Sequence, residues 1–229
     1  MRVLAIAVLF TLACSAGAQD LSFLAKLPPA ARVEAEDIVQ HADFVFESRT
    51  PPRKVRLATM EKLFDHPRLA AAMWRNCQFV PAFFVFLHPD GAWSLDDGRG
   101  LTGTLRLVYR RPGHRVYLVE GRAARGRLKT PFAVGARMLT SYRYWEGKQG
   151  FESDLQTWTS LDSALLGFVA RPFRGYIKER QDQFIAYING NVASFGEFAD
   201  LDPMDFYGPL KRDGDPVALR EFKALFMGK

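Results

Sequence analysis

Residues Arg171 to Phe198, RPFRGYIKERQDQFIAYINGNVASFGEF, place the strongest constraint on any fold this chain can adopt. Phe173, Ile177, Phe184, Ile188 and Phe195 recur at spacings of four and seven, so they share one face of a helix. Arg174, Lys178, Glu179, Arg180, Gln181 and Asp182 fall mostly off that face. Pro172 suits a first helical turn, where its missing N–H is not needed. A helix of roughly 25 residues is about 37 Å long, enough to cover a whole sheet. Gly175 and Gly190 each weaken it by about 1 kcal/mol relative to Ala, so burial of the aromatic face has to hold it.

The segments upstream supply that sheet. Residues 41–49 alternate Ala42, Phe44 and Phe46 with Asp43, Val45 and Glu47, and read as a strand ended by Thr50-Pro51-Pro52. Residues 55–64 have helical period, with Val55, Met60, Leu63 and Phe64 on one side. A second helix over 67–76 starts with Asp65 as its cap and Pro67 early in it. From Phe79 the pattern turns to strands: 79–87, 101–111, 115–121, 138–145 and 151–159, separated by turns such as His88-Pro89-Asp90-Gly91 and Pro112-Gly113-His114. Leu161 to Val169 leads into the long helix. Helices segregated from a mostly antiparallel sheet give an α+β class. Ala30 to Val39 reads as a short helix in a lead segment, 19–40. Residues 200–229 read as an appendage in which Asp215-Pro216 starts a short helix with Leu219, Phe222, Leu225 and Phe226 on one side.

The first eighteen residues have the form of an export signal. Arg2 precedes an apolar run, Val3 to Ala13, and Ala16-Gly17-Ala18 fits a small-x-small cleavage site. The run is too short to span a bilayer. The expectation is an exported protein, periplasmic or secreted, starting at Gln19; processing at Cys14 to a lipid anchor is the rival. Loss of Cys14 leaves Cys77 alone in an apolar neighbourhood, an inert thiol with no disulfide partner. His41, His66, His88 and His114 make no metal-ligand spacing and read as surface or cap residues, and no cofactor is expected. The charge of +6 suits an anionic membrane surface or acidic ligand, and no nucleic-acid module accompanies it.

The order of elements resembles the helix-grip fold of the START-like superfamily, which includes polyketide cyclases and coenzyme Q-binding proteins. The likeness covers 41–199: a strand, two short helices, a meander over 79–159, and a closing helix ending in ASFGEF. It implies a curved antiparallel sheet wrapped around the long C-terminal helix, with a lipid or other apolar small molecule held between them.

Three constellations carry possible chemistry. The first is an apolar and aromatic wall: Leu105, Leu107 and Tyr109 on one strand, Tyr117 on the next, Met138, Thr140, Tyr142 and Tyr144 on another, and Leu155 and Thr157 continuing it, faced by Phe173, Ile177 and Phe184 of the helix. Aliphatics with a few hydroxyls suit an apolar ligand with one polar end, and equally a filled core. The second is the basic run Arg106, Arg110, Arg111, Arg115, Arg122, Arg125, Arg127, Lys129 and Arg137, a solvated outer face or a membrane-docking surface. The third is Glu120 with Asp154, which inside an apolar cavity would have raised pKa values and suit a cyclase- or hydrolase-type reaction. A cell-envelope interaction protein with a filled core is the remaining alternative.

Overall fold

The computed structural model describes residues 20–124, 133–162 and 174–228. Its strands are β1 (Phe44–Arg53), β2 (Phe84–Leu87), β3 (Trp93–Asp96), β4 (Leu101–Arg111), β5 (His114–Ala124), β6 (Ala133–Gly147) and β7 (Gly150–Leu161). They form one curved, unclosed antiparallel sheet in the order β1-β7-β6-β5-β4-β3-β2. Strands β2 to β7 lie beside one another in chain order as a meander, and β1 lies at the far edge beside β7. At the β6–β7 hairpin Gly150 has φ +117°, and a Cβ there would stand 2.2 Å from the Arg53 carbonyl oxygen, so only glycine fits.

Helices α1 (Pro29–Gln40), α2 (Leu57–Asp65), α3 (Pro67–Asn76), α4 (Arg174–Leu201), α5 (Pro203–Asp213) and α6 (Pro216–Phe222) surround the sheet, and α6 continues as a wide turn over Lys223–Met227. The fold is α+β and helix-grip-like, with α4 laid along β1.

Two hydrophobic cores lie on opposite faces. On the inner face, α2, α3 and α4 bring Met60, Leu63, Met73 and Phe195 onto Tyr142, Tyr144 and Phe151. On the outer face, α1 buries Ala31, Ala35 and Ile38 against Val116, Leu118, Leu139 and Trp158, with Phe23 and Leu27 closing the edge. The lead segment is thus the cover of the outer face. The C-terminal residues join the inner core: Phe206, Leu210, Ala218 and Phe222 are buried in it. Asp215 caps α6 by accepting from the Val217 and Ala218 N–H groups, and it also binds Arg68 at 2.7 Å. Arg75 binds Asp213 at 2.7 Å.

Several boundaries differ from those read in the sequence. β1 continues through Pro51 and Pro52 to Arg53, because it is an edge strand and its register shifts between Thr50 and Arg53. The strand expected over 79–87 is confined to 84–87. Residues before it turn to α3 instead, where Trp74 Nε1 donates to the Pro81 carbonyl at 2.7 Å and Arg75 Nη1 to that of Phe83 at 2.8 Å. The short strand β3 and helix α5 had no clear signal of their own. Asp65 does not cap α3; His66 occupies that position without a side-chain bond. The proposed signal segment 1–18, the residues Arg125, Arg127 and Lys129, and Phe173 lie outside the described residues. Among the described residues, no helix is long and apolar enough to cross a membrane.

Candidate functional site on the inner sheet face

Directly paired residues of neighbouring strands point to the same side of a sheet. Register therefore sorts the inner face into rows. Beyond the Glu146–Phe151 pair at the hairpin end, the first row holds Thr50, Ser153 and Tyr144. Next come Leu155, Tyr142 and Arg115. The third row holds Phe46, Thr157, Thr140, Tyr117 and Leu107. The fourth holds Phe44, Thr159, Met138, Val119, Leu105 and Trp93. The face is thus polar at the α2 end and grows apolar away from it.

Of the expected wall residues, Leu105, Leu107, Tyr117, Met138, Tyr142, Tyr144 and Leu155 share this face. Tyr109 does not. Leu107 pairs with Tyr117 but Tyr109 pairs with Val116, so Val108 is an extra residue that inverts the alternation. Tyr109 joins the outer core, with its ring edge-on to His114 at 5.2 Å. Phe173 and the Ile177 side chain lie outside the described residues, and Phe184 is 41% exposed. The aromatic face of α4 is buried mainly towards its C-terminal end, at Phe195. There Gly196 lets the helix approach closely: a Cβ would stand 3.2 Å from Leu63 Cδ1 and 3.3 Å from Val55 Cγ2. Asn189 Nδ2 donates to Thr50 Oγ1 at 2.8 Å, fixing α4 to β1.

The polar end is organised by Arg115, which is only 1% exposed. Its Nη1 donates to Asp65 Oδ1 at 2.7 Å, and its Nε to Tyr144 Oη at 3.1 Å. Tyr144 donates in turn to Glu61 Oε1 at 3.3 Å. The Tyr117 hydroxyl also bonds to Arg115. The guanidinium carbon lies 5.4 Å from the centre of the Phe64 ring. Arg110, which follows the bulge, shares Asp65 through its other oxygen at 2.5 Å. Desolvation works against the charged form of Arg115, but the bonds to Asp65 and Tyr144 outweigh it and raise its pKa. Burial raises the pKa of Tyr117, opposed by Arg115, and likewise raises those of Tyr142 and Tyr144. These phenols stay protonated and act as hydrogen-bond donors.

Sequence reading missed Arg115 by assigning it to the solvated basic run. The signal was present: on an alternating strand Arg115 must share the face of Tyr117, a residue already placed in the wall. Two other arginines of that run are matched by acids remote in sequence. Arg106 binds Glu34, and Arg137 binds Asp37 at 2.8 Å, both from α1.

Glu120 and Asp154 are corrected as well. Glu120 pairs across β4 and β6 with Thr104 and Arg137, and Asp154 with Arg49 and Arg143, so both stand exposed on the outer face. Neither is a carboxylate inside an apolar cavity. An outer groove of about 890 Å³ runs past Thr102, Thr104, Glu120 and Arg122, and another of about 910 Å³ lies between the end of α4 and residues 225–228. Both are away from the inner face.

His114 is not a surface histidine. It sits among Phe23, Tyr109 and Ser141, with Nε2 2.9 Å from Ser141 Oγ, and desolvation together with nearby Arg143 lowers its pKa to about 4. Cys77 is half-buried against the inner core, and burial raises its thiol pKa. Among the described residues, no group of three His, Cys, Asp or Glu side chains is placed to hold a metal.

No family model matches the chain, and no curated protein matches it. Solved structures do match at low identity. A conserved protein from Geobacillus kaustophilus has TM-score 0.45 and 13% identity, over 66% of this chain and 96% of that one. A hypothetical protein from Helicobacter pylori has TM-score 0.42 and 9% identity, over 68% and 89%. A protein from Mycobacterium smegmatis has TM-score 0.38 and 13% identity, over 66% and 88%. Likeness of this degree carries no argument about what the chain binds.

Proposed function

We propose that this chain is an exported protein that holds an apolar small molecule, foremost a lipid, between the inner sheet face and α4, without turning it over. One observation carries the reading. Among the described residues, Leu105, Val119 and Met138 are half-buried, Leu107 is 37% exposed, and none of the four belongs to either hydrophobic core. They run directly into the polar end at Arg115 and Tyr117. An apolar wall with a few convergent polar groups is the usual lining of a small-molecule site. The strand order and the helix laid along β1 suit a START-like protein, in which sheet and terminal helix grip such a ligand. Export rests on the form of residues 1–18.

The test is recovery of the occupant. Full-length protein, expressed with its own first residues and purified from the cell envelope without detergent, is extracted with organic solvent and the extract analysed by mass spectrometry. The expected result is an apolar compound near one equivalent, absent from a mock purification. An extract identical to the mock, with no binding of an apolar fluorescent dye by the extracted protein, would overturn the reading.

A further inference from the structure

The inner face carries more hydroxyl donors at its α2 end than the protein uses. Tyr142 is 6% exposed and Ser153 1%, and neither hydroxyl oxygen has a partner of good hydrogen-bond geometry among the described residues. The two are close enough for Ser153 to act on the Tyr142 phenol. Even if they turn towards each other, a pair of hydroxyls shares one proton, and the second O–H is still without an acceptor. Tyr117, one row further on, accepts from Arg115 and keeps its own proton to give. Tyr144 is different: it accepts from Arg115 and donates to Glu61. The neighbouring acids are engaged, Asp65 with Arg110 and Arg115, and Glu61 with Tyr144. The surplus is therefore of donors.

We infer that this end of the site recognises a hydrogen-bond-accepting head group, the oxygen of a carbonyl or carboxylate, through the hydroxyls of Tyr117 and Tyr142, with Ser153 supporting Tyr142 from beside it. The inference rests on the reading that the inner face holds an apolar ligand, and it adds the chemistry of that ligand's polar end. The charges of Arg110 and Arg115 are opposed by those of Asp65 and Glu61 together, so the head group needs lone pairs rather than a net charge. An ammonium head meets only hydroxyl lone pairs, beside the cations Arg110 and Arg115 and with both neighbouring carboxylates engaged. A plain hydrocarbon leaves the buried hydroxyls unmet, and unmet buried polar groups are uncommon and unfavourable.

The experiment compares compounds of one chain length on the full-length, extracted protein: hexadecane, hexadecylamine, methyl hexadecanoate and hexadecanoate, each displacing a bound apolar dye. The two oxygen-headed compounds are expected to compete about a hundredfold better than the other two, for two hydrogen bonds gained. Tyr142→Phe and Tyr117→Phe should each cut that preference about tenfold, and the double variant should remove it while hexadecane is unaffected. Equal competition by all four compounds, or a preference that survives in the double variant, overturns this inference alone. If neither the dye nor any of the four binds, the ligand-holding reading falls together with it.

Discussion

Arg115 and Asp65 bind each other at 2.7 Å, and that bond joins the inner sheet face to the last residue of α2. The arginine is buried and the aspartate about a quarter exposed, at 24%. Removing one partner of such a pair strands a charge in a place where water reaches it poorly, and the loss exceeds what the intact pair contributes. Asp65→Asn is therefore expected to lower stability by about 2–3 kcal/mol, read by urea unfolding. Arg115→Met, which removes the buried charge while keeping bulk, should cost less. A loss below about 0.5 kcal/mol for Asp65→Asn would show that the pair is solvated and does not organise the site.

Two of the inner tyrosines should answer differently to loss of one oxygen. Tyr144→Phe breaks bonds to Arg115 and Glu61 and should cost about 1 kcal/mol or more. Tyr142→Phe removes a buried hydroxyl without a good partner and should leave stability unchanged or slightly higher. Thermal unfolding of the two variants side by side decides it; the reverse ranking would mean the hydroxyl assignments are wrong.

Residues 203–228 are part of the inner core, so their removal is a core lesion. Phe222 is fully buried, with its ring stacked on Phe226 and tilted against Phe206. Phe222→Ala should destabilise by about 3–5 kcal/mol, whereas Val33→Ala on the exposed side of α1 should change little. Chemical denaturation measures both, and equal effects would place the C-terminal helices outside the core.

His114 sets a pH dependence. Its pKa is about 4 in the fold, against about 6.5 unfolded. As pH falls from about 6.5 to about 4, the unfolded chain takes up the proton first, so stability drops through that window and is full above it. The expected loss between pH 7 and pH 4.5 is about 1–2 kcal/mol, and His114→Gln should flatten it. Urea unfolding at the two values provides the test. Asp215, where hydrogen bonds from Arg68 and the α6 N-terminus lower the pKa in spite of burial, adds its own loss mainly below about pH 4.

Much of the sheet was legible because alternation is a local property. In β5, β6 and β7 the side chains at every second position fall on the faces that alternation assigned, which is why Tyr117, Met138, Tyr142, Tyr144 and Leu155 share one side. Turn chemistry at His88–Gly91 and at Gly150 likewise acts within a few residues. The misses were of two kinds. One extra residue, Val108, put Tyr109 on the wrong side of the sheet, and nothing in LVYRR marks a bulge. Arg115 was taken for a solvated charge because its counter-charge, Asp65, is fifty residues away in sequence and on a helix.

By itself the sequence determined two periods, a long helical one near its end and several twofold ones before it, and with them the α+β class and the antiparallel meander. Those follow from steric and hydrophobic preferences between near neighbours in the chain. Only the tertiary structure decided which face α1 would cover, that α5 and α6 would close the inner core, and that a buried arginine would gather three tyrosines at one end of the apolar wall. Those outcomes depend on pairing charges and filling volumes among segments far apart in sequence, where the energy belongs to the contact and not to any one stretch of residues.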